Sequence, residues 1–228
     1  MSDGSVLLIT GASSGIGEAT ARLAVAGGRR VVLAARSADK LEALAASLGG
    51  PEHALAVTAD VTDFESQAAM VDKTLEHFGR LDAAFANAGF GAKRGFLEET
   101  PEHWRDMVLT NVLGAAYTIR ATLPALTESG GHLLLTSSVA GRRALPGSLY
   151  SATKFSVTAM GEALRQEVDG KIRVTLIEPG MVDTPFFDTP KPDALQPDDI
   201  ARAVLYALDQ PSHVDVNEIL IRPTSQPT

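Results

Sequence analysis

The sequence predicts an α/β fold, a doubly wound and mainly parallel sheet with helices on both faces. Three observations lead there. Short apolar runs rich in β-branched residues alternate with longer amphipathic stretches along the chain. Several of the short runs are apolar throughout, as strands covered on both faces require. The first run also leads into a glycine-rich turn that opens a helix. Parallel neighbours need crossover connections, so repeated strand and helix alternation places helices over the sheet.

The elements follow in order. Val6–Thr10 reads as the first strand and Ile16–Ala26, beyond the glycines, as the first helix. The runs Arg30–Ala35, Ala54–Ala59 and Ala83–Ala86 are the next three strands, separated by helical stretches over Lys40–Leu48 and Phe64–Phe78. Pro101–Thr127 reads as one long helix, followed by a strand at His132–Thr136 and a helix at Ser151–Val168. A strand at Arg173–Ile177, a helix at Asp198–Leu208 and a last strand at Glu218–Ile221 complete the pattern. The loosest stretch, DTPFFDTPKPDALQPDD over Asp183–Asp199, holds four prolines and reads as a surface connection or, the favoured reading, as a loop or lid over a site.

Composition narrows the function. The chain has 228 residues, a length one core can support, so a single domain over 1–228 is expected. No apolar run approaches the roughly 20 residues of a membrane-spanning helix. The opening MSDGSVLLIT lacks the features of a secretory signal, which leads to the expectation of a cytoplasmic protein. Cysteine is absent, which excludes disulfides, thiolate metal sites and cysteine nucleophiles. A formal net charge of −8 has the wrong sign for nonspecific binding to nucleic acid or anionic membrane. Small molecules are the expected partners.

In TGASSGIGEAT, Gly11, Gly15 and Gly17 let the backbone turn sharply and approach a pyrophosphate held at a helix N-terminus. The spacing G-x-x-x-G-x-G departs from the usual dinucleotide fingerprint, and no lysine follows as a triphosphate-cradling loop would require. The second strand ends in Ala35 and Arg36 rather than a carboxylate. An arginine there suits a 2′-phosphate, so NADP(H) is expected over NAD(H). Further along, GSLYSATKFSV puts Tyr150 and Lys154 at i and i+4 of a helix, about 5 to 6 Å apart at Cβ. A cation there is expected to lower the pKa of a phenol that would otherwise titrate near 10 and fit it for proton transfer.

These residues resemble the short-chain dehydrogenase/reductase family. The matches are TGASSGIG at 10–17, ADV at 59–61, NAG at 87–89, NVLG at 111–114, SSVAG at 137–141, YSATK at 150–154 and EPGMVDT at 178–184, in the family's order. The chain has three asparagines, and two of them fall on these positions. The resemblance implies a Rossmann-type, seven-stranded sheet and a catalytic set of Ser138, Tyr150 and Lys154 assisted by Asn111. It implies that Gly11, Ser13, Ser14, Gly15, Ile16 and Gly17 cradle the dinucleotide. Asp60 and Val61 would lie near the adenine, and Asn87, Ala88 and Gly89 near the ribose. Pro179, Gly180, Val182 and Thr184 would lie near the nicotinamide. Tyr150 would abut the cofactor, Lys154 would hold the nicotinamide ribose, Ser138 would bond the substrate oxygen, and Asn111 would hold a water linked to Lys154. A homodimer or homotetramer through Pro101–Thr127 and Ser151–Val168 is also implied. The C-terminal VDVNEILIRPTSQPT resembles a branch that reduces small aldehydes and ketones or oxidises hydroxy acids.

Several alternatives stand beside this reading. Ser138 lies twelve residues before Tyr150, one fewer than in many family members, so Ser137 competes with it; the following VAG favours Ser138. A serine hydrolase lacks its G-x-S-x-G elbow, and zinc-dependent alcohol oxidation lacks cysteines and an H-E-x-x-H motif. His103 reads as a helix-start residue. Phe186 and Phe187 read as packing or substrate contacts. Lys93, Arg94, Arg142 and Arg143 read as solvated charges or as a site for an anionic substrate. The leading expectation is an oxidoreductase acting on an aldehyde, ketone or alcohol, and the different-class rival is a dinucleotide-binding regulator or scaffold without turnover.

Overall fold

The computed structural model describes residues 4–187 and 189–226; Asp188 of the proline-rich loop, positions 1–3 and positions 227–228 lie outside the described residues. Seven strands, β1 (Val6–Thr10), β2 (Arg30–Ala35), β3 (Ala54–Thr58), β4 (Ala83–Ala86), β5 (His132–Thr136), β6 (Arg173–Pro179) and β7 (Glu218–Ile221), form one sheet in the order β3-β2-β1-β4-β5-β6-β7. Every strand pairing among the described residues is parallel, with Leu8 opposite Val32 on β2 and Ala84 on β4. The chain winds outward from β1 to β3 and then returns to continue from β4 on the other side. That reversal opens a crevice beyond the carboxyl ends of β1 and β4.

Strand alternation divides the apolar residues into two cores. Val6 and Leu8 of β1 point into one, with Val32, Leu133, Leu135, Val174 and Leu176. It is closed by residues of α3 (Phe64–Phe78), α5 (Ala115–Ser129) and α6 (Leu149–Val168), such as Met70, Leu126 and Leu164. Leu7 and Ile9 point into the other, with Leu33, Phe85, Leu134 and Ile177. There α1 (Gly15–Ala26), α2 (Ala38–Ser47) and α7 (Pro197–Asp209) contribute Ala21, Leu41 and Val204. Burial on both faces explains why β1 carries no polar residue before Thr10.

Three differences from the sequence reading matter. β6 continues through Glu178 to Pro179, two residues past its expected end, because Gly180 N–H still bonds Ile221 O on β7 at 2.7 Å. The stretch read as one helix over Pro101–Thr127 is α4 (Pro101–Val108), a π-helical turn over Leu109–Gly114, and then α5. Tertiary hydrogen bonds hold the widened turn: Asn111 is tied to Phe90, and the carbonyl of Gly114 accepts from Gln67 Nε2 at 2.9 Å. A short 3₁₀ turn at Val139–Gly141 follows β5, capped by Ser138 Oγ accepting from Ala140 N–H at 3.0 Å.

Candidate active site

The crevice is a cleft of about 370 Å³ running across the carboxyl ends of the strands. At one end the turn after β1 lies against the segment after β4. Thr10 Oγ1 accepts from Asn87 N–H at 3.0 Å and from Ala88 N–H at 3.2 Å, while Asn87 Nδ2 donates to Thr10 O at 3.1 Å. Gly11 adopts φ of 68°, and a Cβ there would stand 2.9 Å from Ala88 Cα, so only glycine fits this close approach. Ser14 precedes α1 without capping it through its side chain, which leaves the N–H groups of the first turn facing the cleft. Gly11, Ser13, Ser14, Gly15 and Ile16 line this end, and Gly17 sits behind the turn against Asn87 Nδ2.

The wall beside the turn comes from β2 and from the segment after β3. Arg36 lines it with an exposed side chain, and Ser37 joins it. Asp60 and Val61 lie opposite. The Asp60 carboxylate accepts from Thr62 N–H at 2.9 Å and from Thr62 Oγ1 at 2.8 Å. The Thr62 N–H is the main reason that its pKa lies below the usual carboxylate value; the Thr62 hydroxyl and Arg36 act in the same direction against burial.

At the other end Tyr150, Lys154, Ser138, Pro179, Gly180 and Val182 meet the middle segment Asn87, Ala88 and Gly89, while Thr184 lines the cleft against Gly15 of the turn, where a Cβ would stand 3.2 Å from its Cγ2. α6 is capped by Ser148, whose hydroxyl accepts from Ser151 N–H, so Tyr150 falls in its first turn and Lys154 one turn later. Lys154 Nζ donates to Thr136 O at 2.8 Å and lies 5.6 Å from the centre of the Tyr150 ring. Burial holds the lysine down to about 8 and pushes the phenol up to about 12, with the Ser138 hydroxyl pulling the phenol back. The sequence reading expected a lowered phenol pKa. Desolvation wins because the first turn of α6 is enclosed at the cleft wall.

The two adjacent serines have different surroundings. Ser137 Oγ donates to Lys154 O at 3.1 Å and exchanges a hydrogen bond with Thr158 Oγ1 at 2.7 Å, both on α6. Ser138 Oγ donates to Pro179 O at 3.3 Å and lies beside the Tyr150 phenol. Asn111 is 2% exposed and stands outside the cleft lining. Its Oδ1 accepts from Phe90 N–H at 3.0 Å, and its Nδ2 donates to Phe90 O at 2.8 Å and to Thr153 Oγ1 at 3.2 Å.

One contributor escaped the sequence reading, and another was only one of two readings of its residue. Thr136 acts through its backbone carbonyl, which leaves no side-chain signal. Phe186 packs edge-on to Tyr150 with ring centres 5.6 Å apart, and it fills the space opposite Gly91, where a Cβ would meet Phe186 Cζ at 2.5 Å. Its signal was the Phe186 and Phe187 pair in the proline-rich loop. The four cations weighed for an anionic substrate, Lys93, Arg94, Arg142 and Arg143, do not line the cleft. Arg142 keeps 35% of its side chain exposed but is not aimed at substrate: its Nε donates to Glu178 Oε1 at 2.7 Å, and its other arm pairs with Glu218. His103 lies in the first turn of α4 as expected, with Nε2 2.8 Å from Gly91 O. No group of three or more metal-binding side chains occurs among the described residues, and no helix there is long and apolar enough to cross a membrane.

Comparison with known proteins agrees with this geometry. A family model described as short chain dehydrogenase matches residues 5–194. An uncharacterized oxidoreductase of Staphylococcus saprophyticus is 39% identical, across 97% of this chain and 96% of its own. The chain is similar in structure to an alcohol dehydrogenase of the archaeon Thermococcus sibiricus complexed with 5-hydroxy-NADP, with 35% identity, a TM-score of 0.91 and 98% of each chain covered. It is also similar to a 3-ketoacyl-(acyl-carrier-protein) reductase of Brucella melitensis complexed with NADH, with 32% identity, a TM-score of 0.89 and coverage of 97% of this chain and 98% of that one. A dinucleotide-binding fold, a tyrosine and lysine one helical turn apart beside a serine, and a family match over most of its length lead to one conclusion: the chain is an oxidoreductase of the short-chain dehydrogenase family.

Proposed function

We propose that this oxidoreductase interconverts a carbonyl compound and an alcohol with NADP(H), using Tyr150 as general acid and base. The observation that carries the reading is the convergence of Tyr150, Ser138 and Lys154 at one end of a cleft whose other end is a glycine-rich turn and a helix N-terminus without a side-chain cap.

The residues fit a dinucleotide. A Cβ at Gly11 would fill the cradle, and the first-turn N–H groups of α1 suit a pyrophosphate. Arg36, with Ser13, Ser14 and Ser37 nearby on the wall, would hold a 2′-phosphate, and no carboxylate stands at the end of β2 to repel it. Asp60 and Val61 would flank the adenine, Asn87 to Gly89 the ribose, and Pro179 to Thr184 the nicotinamide. When bound, the nicotinamide supplies hydride to the carbonyl carbon.

The remaining work belongs to the chain. Tyr150, held near 12, keeps its proton at neutral pH and gives it to the developing alkoxide, a stronger base than phenolate. Ser138 turns its hydroxyl from Pro179 O to the substrate oxygen. Lys154 supplies positive charge one turn below the phenol and donors for the ribose. The side-chain amide of Asn111 bonds Phe90 and Thr153 and so holds Gly89 and Phe90 beside Lys154, where the residue would also hold the water linked to Lys154. Built onto Gly89, a Cβ would stand 3.1 Å from Asn111 Oδ1 and 3.7 Å from Lys154 Nζ. The loop over 183–199 brings Phe186 to the substrate side of Tyr150.

We assign the same reading a homo-oligomer built on α4, the π-helical turn, α5 and α6, where Leu113 of the π-helical turn and Phe155 of α6 are 36% and 43% exposed. A monomeric mass in solution overturns that assignment.

The deciding experiment follows NADPH oxidation across aldehydes, ketones and keto acids with wild type and Tyr150→Phe. Wild-type turnover that falls by about 10² to 10⁴ in the variant, with NADPH affinity retained, establishes the reading. Tight NADPH binding without turnover of any carbonyl overturns it in favour of a non-catalytic dinucleotide-binding protein.

A further inference from the structure

We infer that Arg142 is a positioning residue for Ser138: paired with Glu178 and Glu218, it fixes the Ser138–Arg142 turn against the ends of β6 and β7, and with it the hydroxyl that meets the substrate oxygen. The inference rests on the reading proposed above for Ser138.

The turn is a rigid connector. Ser138 Oγ accepts from Ala140 N–H at 3.0 Å, Ser138 O accepts from Gly141 N–H at 2.8 Å, and Arg142 N–H bonds Val139 O at 3.1 Å. Ser138 and Arg142 are therefore the two ends of one short hydrogen-bonded unit. Both ends attach to the same place. Ser138 Oγ reaches Pro179 O at 3.3 Å, and Arg142 Nε reaches Glu178 Oε1, one residue earlier, at 2.7 Å. Once the Ser138 hydroxyl leaves Pro179 O for the substrate oxygen, the Arg142–Glu178 pair is the side-chain tie that still holds the turn to β6.

The second arm of the guanidinium extends the clamp to β7. It pairs with Glu218, which Arg165 of α6 also approaches at 3.7 Å. Glu218 opens β7 and stands opposite Leu176 of β6 in the parallel register. The same arginine thus joins the catalytic turn, the strand bearing Pro179 and the last strand of the sheet.

The arrangement serves geometry better than stability or recognition. Glu178 is 1% exposed, and a buried ion pair is often no more stabilising than apolar groups of similar volume. What apolar groups cannot reproduce is the directional contact of one guanidinium with two carboxylates. Substrate recognition is served poorly, because Arg142 stands outside the cleft lining with its donors directed at two carboxylates.

The test separates position from stability. Arg142→Met strands a buried carboxylate and is expected to lower the melting temperature. The double variant Arg142→Met with Glu178→Met removes both charges and is expected to recover it. In the double variant, kcat for carbonyl reduction should remain about 10- to 100-fold below wild type with KM for NADPH within about twofold, and Arg142→Lys should fall between. Amide hydrogen exchange at Ala140 and Gly141 should be faster in the double variant. Recovery of kcat and amide protection together with the melting temperature overturns the inference, as does a defect confined to KM for anionic substrates. Should the wild type reduce no carbonyl at all, the oxidoreductase assignment of Ser138 fails, and wild-type protection of the two amides in the double variant then overturns the positioning role separately.

Discussion

Lys154 donates to the main-chain carbonyl of Thr136 at 2.8 Å, and so a helix side chain is pinned to the end of the interior strand β5, 5.6 Å from the centre of the Tyr150 ring. The ammonium is 5% exposed, and burial lowers its pKa from 10.5 to about 8. Below pH 8 the folded protein bears the full cost of this charge. Between about 8 and 10.5 the unfolded chain binds more protons than the folded one, so the cost is relieved as pH rises. Lys154→Met should therefore abolish carbonyl reduction while raising stability at neutral pH by about 1 to 3 kcal/mol, with the gain shrinking toward pH 10. Thermal melts of the two proteins across this range check it; a variant less stable than wild type at pH 7 contradicts it.

His132, at the start of β5, is fully buried, and desolvation brings its pKa down to about 3 with Arg173 adding repulsion. Thr175 Oγ1 donates to Val216 O at 2.6 Å and so accepts from His132 Nε2 at 2.7 Å, which assigns the ring proton to Nε2. Nδ1 has no hydrogen-bond partner. As pH falls from 6.5 toward 3, the unfolded state gains a proton that the folded state refuses, and stability drops. Denaturant midpoints should fall by an amount equal to roughly 2 to 3 kcal/mol between pH 6.5 and 4.5, and His132→Leu should remove most of that slope. An unchanged slope in the variant would place the acid sensitivity elsewhere.

Phe186 reaches Tyr150 only because residue 91 is glycine. Edge-to-face pairs are worth about 0.5 to 1.5 kcal/mol beyond area burial. Phe186→Ala is therefore expected to raise KM for aryl or branched-alkyl carbonyl substrates about 2- to 10-fold, leaving NADPH affinity within about twofold. Gly91→Val, which displaces the ring without removing it, should produce the same pattern. Equal KM values for apolar substrates in all three proteins would exclude the loop from the substrate site.

Arg36 stands exposed at the end of β2 with Ser37 beside it. Hydrogen bonds to charged groups contribute about 1.5 to 3 kcal/mol, so Arg36→Ala should weaken NADPH binding roughly 10- to 100-fold and leave NADH binding within about twofold. Fluorescence titration with both nucleotides reads this directly. Tighter binding of NADH than NADPH by the wild type would reverse the cofactor preference.

The sequence by itself determined the sheet and the ends of the cleft. Strands apolar on both faces, such as VLLIT of β1, point to an interior, parallel sheet when they alternate with helices, and a glycine turn after the first strand of that pattern points to the switch point. The four-residue spacing of Tyr150 and Lys154 likewise needs nothing beyond helix geometry. Local rules are legible because neighbours along the chain enforce them.

Only the tertiary structure decided the rest. The π-helical turn at Leu109–Gly114 exists because Phe90 and Gln67, distant in sequence, take up Asn111 and Gly114. Burial, which no spacing encodes, reversed the expected direction of the Tyr150 pKa. Arg142 read as a solvated charge or a contact for an anionic substrate, and its pairing with Glu178 and Glu218 exists only because β6 and β7 lie side by side. In each case desolvation or a partner more than ten residues away sets the energy of the group, and folding alone brings those partners within reach.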